Sequence, residues 1–473
     1  MKKLNFFVKN SYGVGNLAYS VISQNVTNFY MFFGTAVLGV SGFLVGLAIS
    51  IATMWDGLSD CIVGGISDRY KIGKLGYRNG YMLIATIGMS VINVLIWFAP
   101  LNAPQILKFV WIGVGLLILE TFNTLFSTPY MALGNDIATD SHDKTSIQIY
   151  KTMFFILGIA IPSVLMYLFL PNTENYPIGQ LNPYGYRKIS LILSGICLIA
   201  GLFCTFSTLK HVDKNSTADQ KQDKFSFKKL IVDFYSSFKN KNLRCLIIGF
   251  ALSQITPTVL TGAGMHFFTY CFLYSTKQIT ILLSVLMLGT LVSQPVWFHL
   301  SKKNGKCSTM ISGIFVSILG AFLIMFSYFL RFKLLEYSYI LAIISIFICG
   351  FGSGTLYTLP ISLFGDEIDK INKETRSNRT ATYSGNLTFS ANIANATALL
   401  FIGVLLDLIH FDSSVEIQPL SVQSGLAIIL FIGVIIPFLL STLFFYKYKM
   451  STTSQPLTNP NLIKKDTLNN HKD

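Results

Sequence analysis

Read from end to end, the chain alternates long apolar stretches with short polar ones, and twelve of the apolar stretches are long enough to cross a bilayer as a helix. They fall near residues 15–38, 43–67, 80–100, 108–134, 148–171, 189–208, 245–273, 277–300, 308–330, 337–364, 381–408 and 421–447. A helix bonds its backbone within one segment, which hydrocarbon demands, so the pattern predicts an all-α polytopic membrane protein. The longest polar connection, 210–244, separates the sixth stretch from the seventh. Its first part, DKNSTADQKQDK, has too little apolar surface to fold. Its second, FSFKKLIVDFYSSFK, repeats apolar residues at helical spacing beside lysines, as does a helix lying on a membrane surface.

Composition strengthens the reading. Of 473 residues 52% are apolar and 12% charged, against roughly 25% charged in soluble domains. The net charge of +14 is then a topology signal and not a nucleic-acid footprint. Lys and Arg crowd the N-terminus (Lys2, Lys3, Lys9), the even-numbered loops and the tail, while the other side carries Lys108, Arg187, Lys188, Lys277, Arg331 and Lys333. The positive-inside rule therefore places both termini and the central linker in the cytoplasm. The start, MKKLNFFVKN, has no cleavage site after it and is expected to be retained. The seven cysteines lie mostly within spans, so no disulfide framework is expected. No phosphate-binding loop, His-Glu-x-x-His motif or zinc-spaced Cys/His cluster is present, so an enzyme is not expected.

Two short motifs recur. PYMALGNDI from Pro129 and PISLFGDEI from Pro360 are 231 residues apart, and KIGK from Lys71 and KNGK from Lys303 are 232 apart. Both sit at cytoplasmic ends of corresponding spans and argue for duplication of a six-span unit. The domain expectation is an N-terminal six-helix half at 1–209, a cytoplasmic linker with an amphipathic helix at 210–244, a C-terminal six-helix half at 245–449, and a disordered cytoplasmic tail at 450–473. Parallel six-span halves joined by a long linker are the arrangement of the major facilitator superfamily, in which solute binds near the midplane between the halves. GGISDRYKIGK resembles that superfamily's second-loop motif. Asp68 and Arg69 within it, with Asp136 and Asp366 of the repeated motifs, are expected to act as a gate that pairs in one state and parts in another.

One segment breaks the apolar rule. Asp56 and Asp60 in MWDGLSDCIVGG stand four residues apart, hence on one face of the second span. Each carboxylate costs several kcal/mol to insert, on the order of 3 on translocon scales, unless something neutralises it. A proton, a monovalent cation or a basic side chain such as Lys151 would serve. Ser59 and, from the fourth span, Thr124 complete a shell of hard oxygens that suits a small cation such as Na+ better than a soft metal.

SYGVGN, WDGLSD, TPYMALGNDIATD, LTGAGMHFFTY and GDEID together resemble the glycoside-pentoside-hexuronide:cation symporter family across essentially the whole chain. The resemblance implies coupled uptake of a small polar solute, usually a sugar or glycoside, with sodium, lithium or protons and no other cofactor. It puts the cation site on Asp56, Ser59, Asp60 and Thr124. Where melibiose-type members carry aspartates on the first and fourth spans this chain has Ser20 and Ser127, and a polar or basic position of the eleventh span falls near Ala391. Galactoside specificity is therefore not expected. The basic position of the fifth span is kept as Lys151, and the aromatic one of the tenth as Tyr357.

Glu120, Asn123, Thr124 and Ser127 form an i, i+3, i+4, i+7 stripe, with Glu120 either a solute contact or a proton-coupling group. Gln24, Asn392 and Asn395 are further candidate solute contacts, and His266 is more simply a structural histidine. The expected function is alternating-access symport in a bacterial inner membrane by a monomer whose partners are solute, monovalent cation and lipid. The alternatives are a same-fold carrier of a nucleoside, sulfonated sugar or lysolipid, and a non-transporting receptor or scaffold.

Overall fold

The computed structural model describes residues 5–67, 70–138, 141–209, 238–334, 336–375 and 380–453. Nearly all of them are helical, and β pairing among them is confined to two isolated bridges, Ile72 with Gly76 and Thr173 with Tyr176. The first half comprises α1 (Phe6–Phe32), α2 (Gly42–Ser67), α3 (Asn79–Trp97), α4 (Gln105–Ile137), α5 (Ser141–Phe169) and α6 (Pro183–Thr208). The second comprises α7 (Lys241–Cys271), α8 (Thr276–Asn304), α9 (Lys306–Leu334), α10 (Glu336–Ser353), α11 (Thr355–Thr375), α12 (Thr380–Leu408) and α13 (Leu420–Thr453). The tenth apolar stretch is thus two helices, divided at Gly354, where a Cβ would strike Ser293 Oγ of α8. The expected surface helix of the linker lies in 210–237, and most of the tail in 454–473, both outside the described residues.

Among the described residues eleven spans are long and apolar enough to cross a membrane, one of them, Tyr337–Asn372, running through α10 and α11 together, and α1 is the long helix that falls short. Asn10, Asn16, Ser20, Gln24, Asn25 and Asn28 dilute it, and packing makes use of them. Asn16 donates to the backbone carbonyl of Lys151 at 2.9 Å, and Lys9 pairs with Asp143 at 2.9 Å. These bonds also explain why the helix starts at Phe6 and not near residue 15: tertiary partners, not hydropathy, hold its first turns. Tyr12 and Tyr130 clamp α1 to α4, their rings stacked at 4.5 Å and each hydroxyl donating to the other's backbone carbonyl.

Within the first half α1 packs on α5 and α6, α3 on α4 and α6, and α2 on α4. Within the second, α7 packs on α12 and α13, and α10 on α8 and α9. The halves meet through α2 with α12, α5 with α8, and α1 with α7. Exchanging the halves turns the first pair into the second and leaves the third unchanged, the relation that duplicated units about one pseudo-two-fold axis give.

The recurring motifs occupy matching places. Asp136 of PYMALGNDI accepts from Arg78 Nε at 3.2 Å, and Asp366 of PISLFGDEI accepts from Lys306 Nζ at 2.5 Å. Both expected gate carboxylates are therefore tied inside their own half, each to the loop that follows an even-numbered span. Asp68 and Arg69 lie outside the described residues.

At the end of the bundle away from the termini, the halves are sewn together. Asp407 at the end of α12 accepts from Ser41 Oγ at 2.7 Å and from the backbone N–H groups of Gly42 at 2.7 Å and Phe43 at 2.9 Å. It caps the first turn of α2 from the other half, where free N–H groups and the helix dipole favour an anion. Below it Gly42 and Gly46 face Gly403, and Ser50 donates to the carbonyl of Ala396 at 2.6 Å. Nearby, Thr35 and His266 Nε2 are 2.6 Å apart. Gln180 reaches the Tyr274 carbonyl at 2.8 Å, and Thr276 that of Leu170 at 2.6 Å.

Candidate cation and solute site

The second and fourth spans run parallel, so a fixed sequence offset connects facing residues turn after turn. Thr124 donates to Asp56 Oδ1 at 3.0 Å, and Thr128 donates to Asp60 Oδ1 at 3.1 Å, each across an offset of 68 residues. The two contacts are rungs one helical turn apart. Ser59 Oγ lies 2.8 Å from Thr124 Oγ1 and 3.0 Å from the Asp56 carbonyl oxygen. Trp55 Nε1 donates to Thr121 at 2.8 Å and fixes the register one rung further along.

All four expected cation-site residues, Asp56, Ser59, Asp60 and Thr124, thus come together, and Thr128 joins them. Thr128 was legible in principle, since it follows Thr124 by one turn as Asp60 follows Asp56. Thr128→Val should raise the sodium concentration for half-maximal thermal stabilisation about tenfold, because a hydrogen bond to a charged group is worth about 1.5–3 kcal/mol. Thr128→Ser should stay near wild type, as a sodium titration of the purified chain would read.

Among the described residues, no Lys or Arg lies within ion-pair distance of Asp56, Asp60 or Glu120. The expectation that Lys151 neutralises the aspartates is not met in this structure. Its ammonium sits 5.8 Å from the centre of the Tyr130 ring, a cation–π contact.

Glu120 faces the same space, within electrostatic reach of Asp56 and Asp60, and Asn123 donates to its Oε2 at 3.0 Å. Tyr19 of α1, with Ser23 one turn on, is within reach of all three carboxylates. Sequence reasoning missed it, because an aromatic in a Phe-rich membrane chain carries no special signal. Tyr357 on α11 is 61% exposed.

Other expected solute contacts divide. Ser20 is fully buried in the α1–α5 contact, where a Cβ on Gly158 would strike its hydroxyl, so in this structure it packs helices. Gln24 and Ser127 are half-buried. Asn395 accepts from Thr258 at 2.9 Å, a bond between α12 and α7 within the second half. Asn392 instead crosses to the first half and donates to Asp56 Oδ2 at 3.4 Å. Its place beside the carboxylate pair makes it the second half's link to the cation site. Asp407 and Ser41, at the far seam, were also missed: an aspartate at a helix end reads as solvent-exposed until its partner in the other half is known.

The sequence profile of the family described as MFS/sugar transport protein matches residues 11–452. The inner membrane symporter YicJ of Escherichia coli (strain K12) is 24% identical over 304 residues, covering 64% of this chain and 62% of that protein. The sodium-dependent lysophosphatidylcholine symporter 1 of Xenopus tropicalis is 23% identical over 477 residues, covering 95% of this chain and 88% of that one. Among solved structures, the nucleoside transporter NupG superposes with a TM-score of 0.63 at 13% identity, over 94% of this chain and 99% of NupG. A bacterial homologue of the lysosomal transporter Spinster, inward-facing and unoccupied, gives 0.65 at 14%, over 94% and 97%. These likenesses establish the transporter fold, and the relatives and neighbours are transporters, not enzymes.

Proposed function

Because the chain belongs to the MFS/sugar transport protein family, we propose that it is a symporter that moves a small polar solute with a monovalent cation by alternating access. The observation that carries this reading is the Asp56–Asp60 pair, set in hydroxyl oxygens and touched from the second half by Asn392. The donor set fits a hard monovalent ion: two carboxylates and the hydroxyls of Ser59, Thr124 and Thr128 offer oxygen only. Asp56 and Asp60 would hold sodium, and the ion supplies the positive charge that lets both stay ionised within the membrane.

Coupling then follows from linkage. The cation neutralises a pair that one helix of the first half presents and one helix of the second half contacts, so its arrival changes how the halves fit. A solute held by Gln24, Ser127 and Lys151 of the first half and Tyr357 of the second would contact both halves and favour the same fit. The termini are placed in the cytoplasm by charge, so the seam at Asp407 would close the outward side. Localisation in a bacterial inner membrane agrees with the name of the Escherichia coli relative.

A sugar or glycoside is the first solute class to test. A second reading, a nucleoside, sulfonated sugar or lysolipid, is favoured by one observation: the first-span position where a galactoside carrier has an aspartate is Ser20, buried against Gly158. The lysophosphatidylcholine symporter, which aligns with nearly the whole chain, gives lysolipids a place in the panel.

The test is thermal unfolding of the purified full chain in sodium, lithium or potassium chloride over a range of pH, with and without solutes of each class. Sodium or lithium at about 100 times its dissociation constant should stabilise by about 2.7 kcal/mol, and a transported solute should add to that only when the cation is present. If no cation shifts the midpoint and no panel member accumulates in vesicles under imposed gradients, the reading fails.

A further inference from the structure

Glu120 and Asn123 form half of an acid–amide pair. Asn123 is 1% exposed, its Nδ2 donates to Glu120 Oε2 at 3.0 Å, and its Oδ1 is buried with no hydrogen-bond partner. A primary amide and a carboxyl group each present two polar atoms on adjacent corners of a plane. With one corner pair bonded, the second pair, Asn123 Oδ1 and Glu120 Oε1, are both acceptors while the carboxyl is ionised. One proton on Oε1 turns the second pair into an O–H···O bond and gives the orphaned Oδ1 its partner. A buried acceptor left without a bond is costly, so the amide itself favours a proton on the acid.

We infer that Glu120 is a proton-binding site separate from the Asp56–Asp60 cation site, with Asn123 as the group that holds the bound proton in place. The inference rests on the transport reading above and adds a second coupled charge to it. A proton is favoured over a second sodium ion because sodium needs several oxygens, whereas Glu120 has one amide as its hydrogen-bonding neighbour and that amide's nitrogen already faces the carboxyl. The titratable groups that reach Glu120 are Asp56 and Asp60 from α2 and Tyr19 from α1. None of them is a base that would hold Glu120 ionised. Filling the aspartate site with sodium lowers the local negative charge without supplying any bond to Asn123 Oδ1, so the two sites load with different ions.

The probe is the proton itself, read by infrared spectroscopy of the purified full chain through a pH titration in potassium chloride and again in sodium chloride. The wild type should show a carboxylic-acid C=O band that disappears as pH rises. Glu120→Gln should remove about one bound proton per chain together with that band, Asp56→Asn should retain it, and Asn123→Leu should shift its frequency. The proposal is overturned if the band is absent from the wild type at every pH, if it persists in Glu120→Gln, or if replacing potassium by sodium abolishes it at every pH, since the last would make Glu120 a sodium ligand. Sodium-dependent thermal stabilisation measured on the same samples tests the transport reading separately. Its absence with the Glu120 band present would sink sodium coupling and leave the proton site standing.

Discussion

Asp56→Asn and Asp60→Asn should each abolish uphill accumulation of solute in energised vesicles and remove the stabilisation of the purified chain by sodium. The physical basis is the rung geometry. Asp56 receives Thr124 and Asn392, and Asp60 receives Thr128, so each carboxylate already has donors arranged for its charged form. What those donors do not provide is a compensating positive charge. An amide at either position keeps the shape and one acceptor oxygen but halves the charge of the pair, and the cation loses its strongest ligand; at residue 56 the amide can accept from Thr124 or from Asn392 but not from both. A stabilisation of about 2.7 kcal/mol at 100 times the dissociation constant should fall to nearly nothing at the same sodium concentration. The apo variants should melt no lower than the wild type, because a repelling buried charge has been removed. Wild-type sodium dependence in either variant, or uphill transport at the wild-type level, would show that the cation binds elsewhere.

The two aspartates were legible in the sequence because ionised residues in an apolar run admit few explanations. Their partners were less so. Thr124 could be placed by family resemblance, while Thr128 needed the parallel register of α2 and α4, which only the tertiary packing fixes. The twelve-stretch pattern located the helices but misjudged α1, whose first turns are held by Lys9, Asn16 and their partners and not by hydropathy. It also ran through the break at Gly354, since a glycine inside an apolar stretch reads the same whether the helix continues or divides. The packing of Ser20 against Gly158 was not legible, because a serine against a glycine and a serine against water look alike in one dimension. Long-range contacts between halves, such as Asn392 with Asp56 and Asp407 with the start of α2, left no local signal at all.

Those two contacts lie on the same pair of helices, and this joins the cation site to the far seam. The α2–α12 packing begins at Asp407 above Gly42 and runs through Gly403 and Ser50 to Asn392 beside Asp56. A change of charge on Asp56 alters the last contact in the row, and parting of the halves at the far end must break the first. Close backbone packing along small residues makes such a seam nearly two-state, because side chains are not there to yield.

Gly403→Val tests the seam directly and should have the second large effect. A Cβ on residue 403 would run into the carbonyl oxygen of Gly42, a backbone atom that cannot rotate away. The helices must separate, and the three bonds from Ser41, Gly42 and Phe43 to Asp407 lengthen together. Hydrogen bonds to a charged group are worth about 1.5–3 kcal/mol each, so the loss of one moves the balance between closed and open seams by about tenfold or more and the loss of two by about a hundredfold or more, at about 1.4 kcal/mol per factor of ten. Transport should be lost because the seam cannot close. Val40, 3% exposed beside the seam, offers the readout: a cysteine there, in a cysteine-free background, should react with a membrane-impermeant thiol reagent far faster when Gly403 is valine. Gly195→Ala, where a Cβ meets nothing within 4 Å, is the matched control and should leave labelling and uptake as they were. Asp407→Asn should move labelling the same way by a smaller factor, since the amide oxygen still accepts but carries no charge against the helix dipole. Slow labelling with transport intact in Gly403→Val would mean that α2 and α12 do not gate the solute path.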